Sequence, residues 1–294
     1  MLRSIGLLAA TLLLCGAAAA QDKKPPVPAG KDPGGVAVAL LTTGIDYTRP
    51  AVAQRLARDG EGDLIGWDMA EGDNRPFDRS AGRISADWGG DGTALAQQFG
   101  IGGRRIVPVR IDPASPASLA RAVAFIARTP ARIVVVPMST QTASDWEAFR
   151  QAAAHFSDLL FVIAAGDEGH DIDQSPVWPA ALDLPNALVV TAPVPGPGNP
   201  EAAPNFGARS VHALVTATRQ LATGLGEIRR PPETSREAAV HAADAIAGCW
   251  PHLLQAHKGA TLKAAVLSEA VKAWPGNPQP VIERCMDNPA APNR

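Results

Sequence analysis

Several short runs in this chain, Val36 to Leu41, Arg132 to Val136, Leu159 to Ala165 and Ala187 to Thr191, are apolar at nearly every position. A strand with one wet face alternates apolar and polar residues, so an unbroken apolar run predicts a strand buried on both faces. Between the runs lie segments with helical spacing: Thr93 to Phe99, Ser118 to Arg128, and Ser144 to Phe156, which opens on the capping-box spacing Ser144-x-x-Glu147. Ile106 to Ile111 and Val211 to Val215 read as further strands, and Thr234 to Leu254 and Thr261 to Trp274 as further helices. Strands apolar on both faces, separated by helices, predict an α/β fold of three layers, a mostly parallel central sheet covered by helices on both faces. In such a sheet the chemistry sits at the C-terminal ends of the strands, which puts Thr42 and Thr43 in a catalytic location.

The ends read differently. Residues 1–20 have a short positive start, an apolar run from Ile5 to Leu14 and the small-residue site Ala17 to Ala20, the layout of a signal peptide on an exported protein. That run is too short for a permanent membrane span, and Cys15 leaves with it. Residues 21–35 are polar and rich in Pro and Gly, a linker outside the core; residues 36–286 form one domain, and 287–294 a flexible polar tail. Export to the periplasm or the cell exterior leaves Cys249 and Cys285 as an even pair in an oxidising compartment, where a disulfide between them is expected. A net charge of −2 without a basic block argues against nucleic acid as the partner.

Taken in order, further segments resemble the subtilisin-like serine peptidases. Val36 to Pro50 is similar to that family's first strand and its Asp-Ser/Thr-Gly turn. Gly90-Asp91-Gly92-Thr93 is similar to its His-Gly-Thr motif, Phe161 to Gly169 to the strand ending in Ala-Ala-Gly-Asn, and Glu233-Thr234-Ser235 to the Gly-Thr-Ser of the nucleophile. Lesser echoes, Gly66-Trp67-Asp68, Ile106 to Arg110, Trp178-Pro179-Ala180 and Asn205-Phe206-Gly207, fall between them in the same order.

The resemblance implies a nucleophile at Ser235, but the other positions depart from it. A serine nucleophile needs a histidine to take its proton and a carboxylate to orient that histidine. Thr42 stands in place of the carboxylate and Asp91 in place of the histidine. Asp167 replaces the asparagine that donates to the oxyanion, setting an acceptor where a donor is needed. Asp46 matches a non-catalytic aspartate. Arg236 and Glu237 follow the serine where the family has small or apolar residues. The six histidines, His155, His170, His212, His241, His252 and His257, all lie outside the histidine motif and read as surface or packing residues, with His170 nearest to the Asp167 loop in sequence.

The expectation is an inactive peptidase fold, with no catalytic set intact, serving as a peptide- or protein-binding module. An extended peptide would add to the edge Met138-Ser139-Thr140-Gln141, where Gln141 replaces a glycine. The alternative is an acid-acting serine hydrolase resembling the sedolisins, with Ser235, Asp91 as carboxyl base and Asp167 protonated as oxyanion donor; against it, Asp87 to Asp91 is Gly-rich and Leu95 occupies the second acid position. Asp63, Asp68, Asp73 and Asp78 with Asn74 offer oxygens for calcium but no complete ligand spacing, so no cofactor is expected. Gly100 to Gly103 lacks the strand-turn-helix setting of a dinucleotide loop, and the six tryptophans read as packing residues.

Overall fold

The computed structural model describes residues 24–80, 83–193, 203–216 and 231–283. The expected signal peptide, the polar tail and Cys285 lie outside the described residues.

The sheet has eight strands in the order β2-β3-β1-β4-β5-β6-β7-β8. These are β1 (Val36–Thr42), β2 (Trp67–Asp68), β3 (Arg104–Arg110), β4 (Ile133–Val136), β5 (Leu160–Ala164), β6 (Ala187–Thr191), β7 (Ala213–Thr216) and β8 (Val281–Glu283). Every pairing between them is parallel. β1 lies centrally, with Thr42 level with Arg110 of β3.

Side-chain alternation divides the core in two. On one face Val38 and Leu40 of β1 pack with α2 (Gly92–Gln97), α5 (Ser235–Cys249) and α7 (Gly259–Ala273). On the other, Ala37, Ala39 and Leu41 pack with α3 (Ala117–Ile126) and α4 (Glu147–His155). Both faces of β1 are therefore dry, which is what its unbroken apolar run required. α5 sits against the middle strands, and Ala238, Ala239, Ala242, Ala243 and Ala245 give it a slim flank that lets it come close to them.

Several local expectations are corrected. Ser144 does not cap a helix: Ala143–Trp146 is a 3-10 turn, Trp146 occupies the N-cap of α4, and Glu147 instead accepts from Arg150 Nε at 2.8 Å and Gln151 Nε2 at 2.8 Å. A single four-residue turn, α1 (Pro50–Ala53), follows β1, and the helix expected from Thr234 to Leu254 breaks after Cys249, resuming as α6 (Leu253–Ala256).

The stretch read as a linker also differs. From Lys24 onward it lies against the domain. The Lys24 ammonium is buried and pairs with Asp68, with Asp73 at 3.0 Å and with Glu71 at 3.3 Å. Tyr47 donates to the Pro25 carbonyl at 2.8 Å, Arg58 Nη2 to that of Pro28 at 2.6 Å, and Arg105 pairs with Asp32 at 2.7 Å. A polar composition hid these attachments, because they are made to charges and carbonyls distant in sequence.

Candidate functional site

Thr42 ends β1 and is 1% exposed. Its Oγ1 accepts the Gly44 amide at 3.1 Å, so the hydroxyl closes its own turn. Thr43 makes a similar closure, donating from Oγ1 to the Gly89 carbonyl at 3.2 Å. α2 packs directly onto this turn at Gly92, where a Cβ would meet the Gly44 carbonyl at 2.5 Å and Thr42 Oγ1 at 2.8 Å. Only glycine fits there, and the fit brings the preceding residue, Asp91, to the strand end.

Asp91 is the N-cap residue of α2, but its side chain makes no capping bond. It turns instead to α5, where Arg236 Nε donates to Oδ2 at 3.2 Å. Asp167, three residues past β5, is paired with the same guanidinium, Nη1 lying 3.0 Å from Oδ2 as an ion pair without the alignment of a full hydrogen bond. Arg236 thus stands between the two carboxylates. Burial pushes Asp91 up to about 6; the Arg236 charge pulls it down, and the Asp167 charge adds to the rise. Burial raises Asp167 as well, against the opposing charge of Arg236 and hydrogen bonds from Ser235. One cation serves two buried acids, and desolvation wins at both.

Ser235 opens α5 and is fully buried. Its backbone N–H donates to Asp167 Oδ1 at 2.6 Å, and its Oγ accepts the Gly166 amide at 3.0 Å. Gly166 aims that amide from a positive φ of 94°, a conformation glycine adopts without strain. Thr234 caps the helix by accepting the Glu237 amide at 3.1 Å, and Glu237 Oε2 accepts the Glu233 amide at 2.8 Å. This is a capping arrangement legible as Thr234-x-x-Glu237, a signal the sequence reading did not use.

The Ser235 amide, placed to donate to a developing oxyanion, already donates to a carboxylate. Asp46 is engaged locally, its backbone N–H donating to Thr93 Oγ1 at 2.8 Å and its carboxylate held by Thr48 and Arg49. The histidines lie elsewhere in the fold: His155 ends α4, His241 is buried within α5, His252 and His257 flank α6, and His212 precedes β7. His170 borders the Asp167 loop, as its sequence position suggested, and its Nε2 meets the Ser175 carbonyl at 3.1 Å.

The expected peptide edge is partly used. Thr140 pairs with Trp178 through bonds of 2.8 and 2.9 Å, while Gln141 is exposed. Of the acids weighed for calcium, Asp68 and Asp73 do converge, but on Lys24, with Arg110 Nη1 2.7 Å from Asp68. Asp78 is engaged by Ser80, and Asp63 is exposed.

Comparison with known proteins agrees with this architecture. The chain is similar to the crystal structure of a cold-adapted subtilisin-like serine proteinase, at 17% identity and a TM-score of 0.54, covering 88% of this chain and 92% of that one. A lanthipeptide protease is similar at 16% identity and a TM-score of 0.56, covering 86% of each chain. The nisin leader peptidase from Lactococcus lactis is similar at 13% identity and a TM-score of 0.54, covering 86% of this chain and 87% of that one. No family model matches the chain, and no curated protein matches it. The fold is subtilisin-like, an α/β sheet between helical layers. No helix among the described residues is long and apolar enough to cross a membrane.

Proposed function

We propose that this chain is an exported subtilisin-like domain that no longer cleaves peptides and instead binds one, or an extended segment of a protein. The observation that carries the reading is Arg236, whose guanidinium pairs with both Asp91 and Asp167 beside a serine whose own amide is spent on Asp167. A base at position 91 must reach the serine hydroxyl, and its carboxylate is engaged by a cation. An oxyanion needs donors, and the nearest backbone donor already has an acceptor. Losing one oxyanion donor typically costs on the order of 10²–10³ in rate, and losing the histidine far more. Two of the similar structures are named for acting on peptides, which suits a cleft that keeps peptide affinity without cleavage.

The test is a fluorophosphonate probe and a panel of unstructured peptides, offered from pH 4 to pH 8. No labelling and no turnover are expected. Labelling that disappears in Ser235→Ala would refute the reading.

The acid-acting serine hydrolase remains the second reading, because Asp91 is raised to about 6 and Asp167 is raised too. On acidification a protonated Asp167 gains a donor, while Asp91 must keep its charge to act as the base. Turnover confined to the acid end of the same assay would favour it. Export predicts a mature chain beginning at Gln21 and carrying no free thiol, through a Cys249–Cys285 bridge. Intact mass with and without alkylation reads both features, and two alkylated cysteines in the unreduced protein would refute the bridge.

A further inference from the structure

A second unusual pair of polar groups lies away from the cleft. His212 immediately precedes β7, at its N-terminal end, and Lys263 reaches it from α7. The imidazole is locked by the sheet. The His212 backbone amide donates to the Val189 carbonyl of β6 at 2.9 Å, and the Val189 amide donates in return to His212 Nδ1 at 2.9 Å. Val189 is a core residue of a central strand, so its N–H cannot turn elsewhere. Nδ1 must therefore present a lone pair.

That requirement fixes the other nitrogen. A neutral imidazole carries one proton, so with Nδ1 bare the proton is on Nε2. Nε2 lies 2.9 Å from Lys263 Nζ. An ammonium has three donors and no acceptor, and facing it with Nε2–H would oppose donor to donor. The consistent state is Nε2–H donating to a lone pair on Nζ, which makes Lys263 a free amine. Its surroundings agree. Burial lowers Lys263, with the exposed Asp183 pulling the other way, and burial is also the larger cause that lowers His212, a charge on Lys263 being the smaller. These two groups and Asp183 are the charges acting on the pair.

We propose that Lys263 is held as a neutral amine and is a nucleophilic lysine, a covalent attachment site for carbonyl compounds, aldehydes in particular, independent of the cleft. The Nζ lone pair attacks the aldehyde carbon, the carbonyl π pair moves to oxygen, and one Nζ proton passes to that oxygen to give a carbinolamine. The hydroxyl then leaves as water, taking the second Nζ proton, and a C=N bond forms. The imine nitrogen retains a lone pair in the plane of its bonds, so His212 Nε2–H keeps an acceptor after the reaction. Desolvation of a lysine is the usual way in which a protein keeps such an amine unprotonated.

The experiment is trace reductive alkylation of the full mature chain with propanal and cyanoborohydride at pH 6 to 7, with each lysine quantified by peptide mass spectrometry. Lys31, which is exposed, is the internal reference. An ordinary lysine, with a pKa of about 10.4, is almost entirely protonated there, so Lys263 is expected to react at least about tenfold faster. A second readout needs no variant: long-range proton–nitrogen NMR of His212 should show Nε2 protonated and Nδ1 bare at neutral pH. A Lys263 that reacts no faster than Lys31, or an unprotonated Nε2, overturns the proposal.

Discussion

Two of the clusters of acids and bases among the described residues are balanced in opposite ways. At the N-terminal anchor, Lys24 and Arg110 converge on Asp68, and Glu71 and Asp73 complete a network that Arg75 and Arg79 flank. Burial pushes Asp73 up, yet its bonds to Lys24 and to the Arg75 amide outweigh it and leave its carboxyl below the ordinary value. Burial likewise works against the Arg110 charge, and Asp68 and Glu71 more than restore it. At the Arg236 site, one guanidinium serves two carboxylates, and both rise. The first cluster is a compensated ion network; the second is short of positive charge. A fold tolerates the second kind where something other than stability shaped the residues, and that is the end of the sheet where chemistry would sit.

The largest effect that would break this contrast is expected at the anchor. Lys24→Met leaves the fully buried Asp68 with Arg110 as its remaining cationic partner and should cost roughly 3–5 kcal/mol, read as a fall in the urea midpoint at constant slope. A loss under about 1 kcal/mol would mean that the anchor is not held by charge. Arg236→Met comes next: it leaves Asp91 and Asp167 facing each other uncompensated, at a cost of roughly 2–4 kcal/mol at pH 7. That cost should shrink at pH 5, as the carboxyls take up protons; a cost independent of pH would show that the guanidinium matters for packing alone.

The third prediction concerns sign. Asp91 sits at about 6 when folded, against an ordinary 3.8. Its contribution to stability is therefore full below pH 4 and is lost as the pH rises through 6, by roughly 1–3 kcal/mol. Asp46 and Asp73 run the other way, being lowered, and lose their contribution only in stronger acid. His212, held neutral down to about 4, also loses stability on acidification, starting below its ordinary 6.5. The clean measurement is the difference between the wild type and Asp91→Asn. The variant should be the more stable at pH 7, and its advantage should vanish near pH 4; parallel curves would remove Asp91 from the account. The smallest effect is Ser235→Ala, which strips the acceptor from the Gly166 amide and should cost about 1 kcal/mol in thermal unfolding. A gain in stability instead would mean that the serine is a strained residue.

Much of this was readable from residues alone, and the reason differs by element. β1, β4, β5 and β6 announced themselves because a strand buried on both faces cannot contain polar residues. β2 and β8, of two and three residues, are too short to leave a periodic trace. Thr42, Asp91, Asp167 and Ser235 were picked out by motif order, and the fold brings Asp91, Asp167 and Ser235 around one side chain. Arg236 was visible only as a departure from the pattern. Its bridging geometry depends on α2, β5 and α5 meeting, which no local spacing encodes. The docking of residues 24–35 escaped for a related reason. A lysine in a proline-rich stretch looks the same whether its partner is water or Asp68.

The guanidinium between Asp91 and Asp167 also constrains the routes by which this sequence can change. Placing a histidine at position 91 alone would set an imidazole against Arg236, and placing an asparagine at 167 alone would remove one of the two carboxylates that pair with that arginine. Each of these single steps passes through a less satisfied site, and removal of Arg236 is itself costly while both acids remain. The three side chains are coupled, so that a change at any one of them is felt at the other two.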